Sequence, residues 1–171
     1  MKHLRVASLA LMLMVASNLQ GQQATDLTAI QRMAEAGEWQ TALNTLDERI
    51  ANNTNDVEAR FLKGLLLLQR GDTDSAREVF LELSRLFPRI PESFNNLASI
   101  YAQQGDYEQA RQALLSAIAN APEYPVVRAN LGDLYTKLAT EAYREAINLD
   151  PGDEASKAKL DTLEKMFASG G

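Results

Sequence analysis

Glycine, alanine and proline recur in the sequence at intervals of 34 residues, and this period limits the fold more than any other feature. Each unit has a glycine followed five residues later by an alanine, in the pairs Gly37 and Ala42, Gly71 and Ala76, and Gly105 and Ala110. Prolines recur at the same interval, at Pro88 and Pro122. Self-similarity at a fixed period of this length is the signature of a stacked array of supersecondary units.

The central unit, residues 91–124, has the pattern of a helical hairpin. Its first half carries an apolar stripe at helical spacing, made of Phe94, Leu97, Ala98 and Tyr101. Gly105 follows where a left-handed residue can end that helix, and Asp106 can cap the next one. Pro122 then prevents the second helix from continuing. The unit is therefore predicted to fold as helix, turn and helix.

These offsets resemble the tetratricopeptide repeat (TPR) family, whose unit is a 34-residue helix-turn-helix. Position 1 of the four successive units is Gln23, Val57, Pro91 and Pro125. Small residues occupy position 8 (Gly64, Ala98 and Gly132), alanine occupies position 20, and proline occupies position 32 of the second and third units. The resemblance implies an all-α fold, a short right-handed superhelical solenoid of TPR hairpins with a C-terminal cap helix.

The chain is predicted to have three parts. Residues 1–21 form a signal peptide and residues 22–153 form the TPR domain. That domain contains repeats at about 23–56, 57–90 and 91–124, and a shortened repeat at 125–153. Residues 154–171 form a cap helix and a disordered tail.

The first segment has the pattern of a secretory signal. Lys2 and Arg5 precede an apolar run from Val6 to Ala16 that only Ser8 interrupts. The run is too short for a spanning helix, although an uncleaved membrane anchor is the alternative interpretation. A periplasmic location follows as an expectation, with membrane contact only through that segment.

The fourth repeat departs from the pattern because its closing proline, Pro151, comes five residues early. The missing residues are those of the turn, and residues 136–144, where the turn would lie, contain no Gly, Pro or Asn to make one. We therefore predict one continuous helix from about Val126 to Asn148, about 35 Å long. Its second half either leans along the third repeat or pairs with another subunit.

The last segment is predicted to be a helix capped by Asp153. It has an expected apolar stripe of Ala155, Ala158, Leu163, Met166 and Phe167.

Catalysis, cofactors, metal ions and nucleic acid are not expected. The chain has no cysteine, and its one histidine, His3, is in the leader. The usual general base, the commonest metal ligand and the best nucleophile are therefore missing. The glycines of the repeats stand singly, so there is no phosphate-binding loop, and the net charge of −6 disfavours a nucleic-acid partner.

The resemblance implies that the first helices of the repeats line an inner wall that holds a peptide or protein partner. The candidate contacts are Phe61, Leu65, Leu68, Gln69, Asn95, Asn96, Ser99, Gln103, Asn130, Asp133 and Lys137. In related arrays an asparagine ladder holds a peptide backbone, and here Asn96 and Asn130 would be its rungs. The alternative is that these asparagines are structural. Leu65 to Leu68 are either covered by repeat one or form an exposed apolar patch.

The predicted function is a non-catalytic protein-interaction adaptor of the bacterial cell envelope. Two alternatives stay open: a structural homo-oligomer, such as a homodimer, that assembles through the helix at 126–148, and an accessory subunit of an envelope assembly or secretion machine.

Overall fold

The computed structural model describes residues 26–168, and within them it has eight α-helices and no β-strand. The predicted signal peptide and the predicted disordered tail at residues 169–171 lie outside this range. The chain divides into two compact units, one up to Leu83 and the other from Ser84 onward. None of the described helices is long and apolar enough to cross a membrane.

Four helices begin in the first unit: α1 (Leu27–Glu35), α2 (Trp39–Asn52), α3 (Val57–Arg70) and α4 (Thr73–Leu86). α1 packs against α2 and α3, and α2 packs against α3. Asp26 caps α1 by accepting a hydrogen bond from Thr28 N. Asp56 caps α3 by accepting from Ala59 N, and it also pairs with Arg49 at 2.7 Å. The largest fully buried side chains of this unit are Ile30, Leu46, Leu66, Phe80 and Leu83.

The second unit contains α5 (Pro91–Gln103), α6 (Tyr107–Asn120), α7 (Pro125–Leu149) and α8 (Glu154–Ala168). α5 packs against α6, α6 against α7, and α7 against α8. Pro91 and Pro125 stand at the start of α5 and α7, where proline loses no helical hydrogen bond.

The repeat glycines form the turns inside the three complete hairpins. Gly37, Gly71 and Gly105 have φ angles of 86°, 93° and 80°. This left-handed conformation strains any residue with a Cβ, so glycine at each turn follows from the backbone geometry.

The fourth repeat has no turn, and the prediction of one continuous helix is confirmed by α7, which runs for 25 residues. Its first half buries Val127 and Leu134. Its second half packs against α8, a partner that the sequence had not indicated: Arg144 Nη2 lies 2.8 Å from Glu164 Oε1, and the Lys159 ammonium lies 5.2 Å from the centre of the Tyr143 ring.

The helix α8 is confirmed with its predicted cap, because Asp153 accepts a hydrogen bond from Ser156 N at 3.0 Å. The predicted apolar stripe is confirmed only in part. Ala158 and Leu163 line a cleft with α7, whereas Ala155 and Met166 are exposed. Among residues 154–166 the most buried is Ser156, because the first turn of α8 has the register of a repeat's first helix, whose third position is buried in the other repeats as well.

Candidate functional site

A cleft of about 330 Å³ lies between α5, α6 and α7 in the second unit. Its floor is apolar and consists of Ala98, Ala102, Ala110, Leu114 and Leu134. Its rim is polar and consists of Asn95, Ser99, Asn130, Asp133 and Lys137. We call this site the amide cleft, because two asparagine side chains meet at its edge.

The two amides join α5 to α7. Asn130 Nδ2 donates a hydrogen bond to Asn95 Oδ1 at 2.5 Å, and both side chains are half-buried. Among the described residues, neither Asn95 Nδ2 nor Asn130 Oδ1 has a hydrogen-bond partner. The pair therefore presents one NH2 group and one carbonyl oxygen to whatever occupies the cleft.

Two opposite charges stand one helical turn apart on the α7 side of the rim. Asp133 is exposed and has no ion-pair partner within residues 26–168. The Lys137 ammonium lies 5.4 Å from the centre of the Tyr107 ring, within cation–π range. The ring at the start of α6 thus restrains the lysine beside the cleft.

The two charged residues of α6, Glu108 and Arg111, form an ion pair with each other. Hydrogen bonds from Arg111 and then Gln112 lower the pKa of Glu108 to about 2. Hydrogen bonding to Glu108 and Tyr135 raises the pKa of the Arg111 guanidinium. This ion pair stays fully charged near neutral pH, so it adds no net charge near the cleft.

Five of the predicted contact residues lie in the amide cleft, namely the rim residues Asn95, Ser99, Asn130, Asp133 and Lys137. Gln103 lies one turn beyond, where its Nε2 approaches Ser99 Oγ at 3.5 Å. Of the two predicted rungs of the ladder, Asn130 lies at the edge of the cleft, where it pairs with Asn95, and Asn96 does not line the cleft. Asn96 Nδ2 donates to Glu92 O of its own helix at 2.8 Å, so this amide is engaged outside the cleft.

Sequence reasoning did not recognise the floor of the cleft. Ala98 belongs to the predicted apolar stripe and Ala110 to the alanines of the repeat period, and they are buried at 4% and 0% exposure. Small side chains at these positions also make room above them, and this is the signal that could have located the cleft.

The other four predicted contact residues lie in the first unit. The Phe61 ring is half-buried and packs edge-on against Phe80, with the centroids 5.7 Å apart. Leu68 is half-buried, whereas Leu65 and Gln69 are exposed. Each interpretation of the leucine run holds in part, because Leu66 and Leu67 are buried while Leu65 remains 38% exposed.

A family model for the tetratricopeptide repeat matches residues 27–89 and, in an overlapping second match, residues 61–125. Together the two matches span more than half of the chain. Repeats of this family generally serve as interaction scaffolds without catalytic activity. No curated protein matches the chain.

Solved structures of the same type are similar along most of the chain. MamA from Desulfovibrio magneticus RS-1 is 24% identical, with a TM-score of 0.58, over 83% of this chain and 89% of that one. SycD, a type III secretion chaperone of Yersinia enterocolitica solved with a peptide of the translocator YopD, is 15% identical, with a TM-score of 0.58, over 69% and 94%.

A third structure is YrrB, a TPR protein with an unusual peptide-binding site. It is 26% identical, with a TM-score of 0.52, over 61% of this chain and 54% of that one. These likenesses establish the fold, so the prediction of an all-α solenoid of helical hairpins is confirmed.

Proposed function

Because the chain belongs to the tetratricopeptide repeat family, we propose that it is a non-catalytic adaptor whose amide cleft binds a peptide segment of a partner protein. One observation carries the proposal: the Asn95–Asn130 pair stands at the edge of an apolar cleft with a donor and an acceptor free.

The chemistry of the pair suits a peptide backbone. Each residue of an extended peptide has one N–H donor and one C=O acceptor. Asn130 Oδ1 can accept from the former, while Asn95 Nδ2 can donate to the latter. These groups are common to all peptides, so the amide pair would fix the position of the main chain without reading its sequence.

The floor and the charged rim would supply selectivity. Leu114 and Leu134 line an apolar volume that can take up one or more side chains of the partner. Asp133 favours a basic group of the partner nearby, and Lys137 favours an acidic one. Partners that bring like charges together bind more weakly. The preferred ligand would be an apolar segment flanked by charges of both signs.

The proposal is tested with a displayed library of random linear peptides, using the chain as bait. Peptides that bind the natural chain should bind the double variant Asn95→Ala/Asn130→Ala about tenfold more weakly or worse, because one to two hydrogen bonds to the ligand are lost.

The matched control is Asn96→Ala, which removes an amide of the same helix that lies outside the cleft. Its affinity for the same peptides should be unchanged. Failure to enrich any peptide, or equal losses in the double variant and the control, would reject a peptide-binding role for the amide cleft.

We further propose that the adaptor works in the periplasm. Support comes only from the sequence of residues 1–21, with its two basic residues and apolar run. Sequencing the amino terminus of the protein from a fractionated host tests this. A processed terminus in the periplasmic fraction is expected, and an intact terminus in the cytoplasm would refute it.

A further inference from the structure

In each complete hairpin the two helices meet through small and bulky residues at fixed positions. Position 20 is alanine with 0% exposure in all three, at Ala42, Ala76 and Ala110. Position 24 is bulky and 0–2% exposed, at Leu46, Phe80 and Leu114. In repeat two, a Cβ at Gly64 would lie 2.6 Å from the Phe80 ring, so the glycine of α3 makes room for the aromatic residue of α4.

The fourth repeat has the same residue types at these positions, but they do not cover each other, and Ala139 and Tyr143 face the last helix instead. Gly132 takes the place of Gly64, and it is exposed, with no neighbouring atom within 4 Å of the point that a Cβ would occupy. Ala139 and Tyr143 take positions 20 and 24 and are only half-buried. Gly132 and Tyr143 are eleven residues apart on one helix, about 16 Å, so they cannot meet within one chain.

We propose that two copies of this chain complete each other's fourth repeat by exchanging the second half of α7. Tyr143 of each copy packs over Gly132 of the other, as Phe80 packs over Gly64. Each first half thereby gains the antiparallel second helix that it lacks.

A second copy is the occupant that the residues specify. The missing partner of Gly132 is a helix with alanine at position 20 and a bulky residue at position 24, and Ala139 and Tyr143 provide these two residues. The interface is also self-complementary, as a two-fold dimer requires, because each copy has both halves of the contact.

The exposed apolar residues of α7 lie beside the proposed contact, about 60–100° around the helix from Gly132. Tyr135, Ala142 and Leu149 are seven residues apart, two turns of the helix, and therefore share a face. All three are exposed, Tyr135 at 47% and Leu149 at 82%. The Arg144–Glu164 pair links α8 to the second half of α7, so residues 139–168 would meet the other copy as one helical pair.

The exchange leaves the amide cleft open. Asn130, Asp133 and Lys137 are spaced by three and four residues and lie on one side of α7. Gly132 lies about 160° away from Asn130 around the helix, at 100° per residue. Dimer formation and peptide binding can therefore be measured separately.

The first test measures the mass of the purified full chain over a range of concentrations. We expect a reversible monomer–dimer equilibrium. Inserting Gly-Asp-Tyr-Glu-Gln, the residues found at 105–109, between Leu138 and Ala139 restores the missing turn. The insertion variant should fold back on itself and remain monomeric at concentrations where the natural chain is dimeric.

A natural chain that is monomeric at every concentration would overturn the proposal. An insertion variant that dimerises with unchanged affinity would also overturn it, because the dimer would then use another surface. Circular dichroism and cooperative unfolding establish that the insertion variant is folded.

A second test locates the contact directly, which is straightforward because the chain has no cysteine. The variant Gly132→Cys/Tyr143→Cys, treated with a short bismaleimide, should give a covalent dimer on a denaturing gel. The matched control Gly132→Cys/Glu145→Cys places the second thiol on the opposite side of the helix and should give much less. Equal yields, or no dimer from the first variant, would count against the exchange.

Discussion

Repeats two and four carry glycine at the same position, yet the surroundings of the two residues are opposite. Gly64 is buried beneath the Phe80 ring, whereas Gly132 faces open space. The two repeats differ chiefly by five residues of turn. Where the turn is present, the second helix folds back and covers the glycine. Where the turn is missing, Gly132 and Tyr143 lie on one continuous helix and cannot contact each other.

This difference shows that the hairpin, and not the single residue, is the unit that buries apolar surface. An isolated repeat helix has one stripe to cover and depends on its neighbour to do so. Deleting the turn leaves both stripes of the fourth repeat intact in sequence but unable to cover each other in one chain.

The largest effect is expected from truncating the aromatic residue at position 24. Phe80 is fully buried, so Phe80→Ala should lower the free energy of unfolding by about 3–5 kcal/mol. Tyr143→Ala should lower it by about 1 kcal/mol when the chain is dilute and monomeric, because the ring is only half-buried. Urea denaturation followed by circular dichroism measures both.

Protein concentration sharpens this contrast. If the exchange occurs, the loss caused by Tyr143→Ala grows with concentration while the loss caused by Phe80→Ala does not, since only the former weakens a dimer. Equal losses at low concentration would mean that the fourth repeat buries its ring as well as repeat two does.

Replacing glycine by alanine should change the free energy of unfolding in opposite directions at Gly64 and Gly132. Gly64→Ala places a methyl group against the Phe80 ring, and overpacking of this kind should destabilise the chain by about 1–3 kcal/mol. Gly132→Ala meets no neighbour and improves helix propensity, so it should stabilise the monomer by about 0.5–1 kcal/mol. Thermal or urea unfolding of both variants measures these changes. A change of the same sign at both positions would contradict the difference between repeats two and four.

A smaller change in stability is expected between two glycines that differ in backbone conformation but not in the space around them. Gly105 and Gly132 both have open space around a Cβ, but Gly105 has a φ of 80° and Gly132 lies within α7. Gly105→Ala should destabilise the chain by about 1 kcal/mol through strain alone. The same unfolding measurement serves, with Gly132→Ala as the control, and a stabilising Gly105→Ala would show that the turn relaxes.

The sequence predicted the helices well because the period and the turn glycines are local signals. The continuous α7 could also be foreseen, since a five-residue deletion is visible in the spacing of Pro151. The packing of α7 against α8 could not, because periodicity shows which stripe is apolar and not which helix covers it.

The amide cleft was predicted only in part for a related reason. Asn95 and Asn96 are neighbours of the same type, and the sequence offers no means of deciding which one turns toward α7. In the structure the Asn95 amide pairs with Asn130, and the Asn96 amide donates back to Glu92 O. The rotation of α5 in the packed unit, which sequence alone does not give, determines where these two amides lie.

The smallest effect concerns the caps of α3, in repeat two, and α8, after the fused helix. Burial raises the pKa of Asp56, but hydrogen bonds from Ala59 N and Arg49 outweigh it and leave that pKa lowered. Hydrogen bonds from the Ser156 hydroxyl and backbone N–H lower the pKa of Asp153. A carboxylate whose pKa falls on folding stabilises the native state above its unfolded pKa of about 4, and this contribution is lost as the pH falls through the folded value.

Replacing Asp153 by asparagine keeps an acceptor at the cap but removes the titration. The melting temperature of Asp153→Asn should therefore lie below that of the natural chain at neutral pH, and the gap should close as the pH drops to about 3. Ser156→Ala provides the matched control, because it removes one of the two hydrogen bonds and should give the natural Asp153 a weaker pH dependence. A gap that is constant with pH would show that the ionised carboxylate contributes nothing at this helix end beyond its capping geometry.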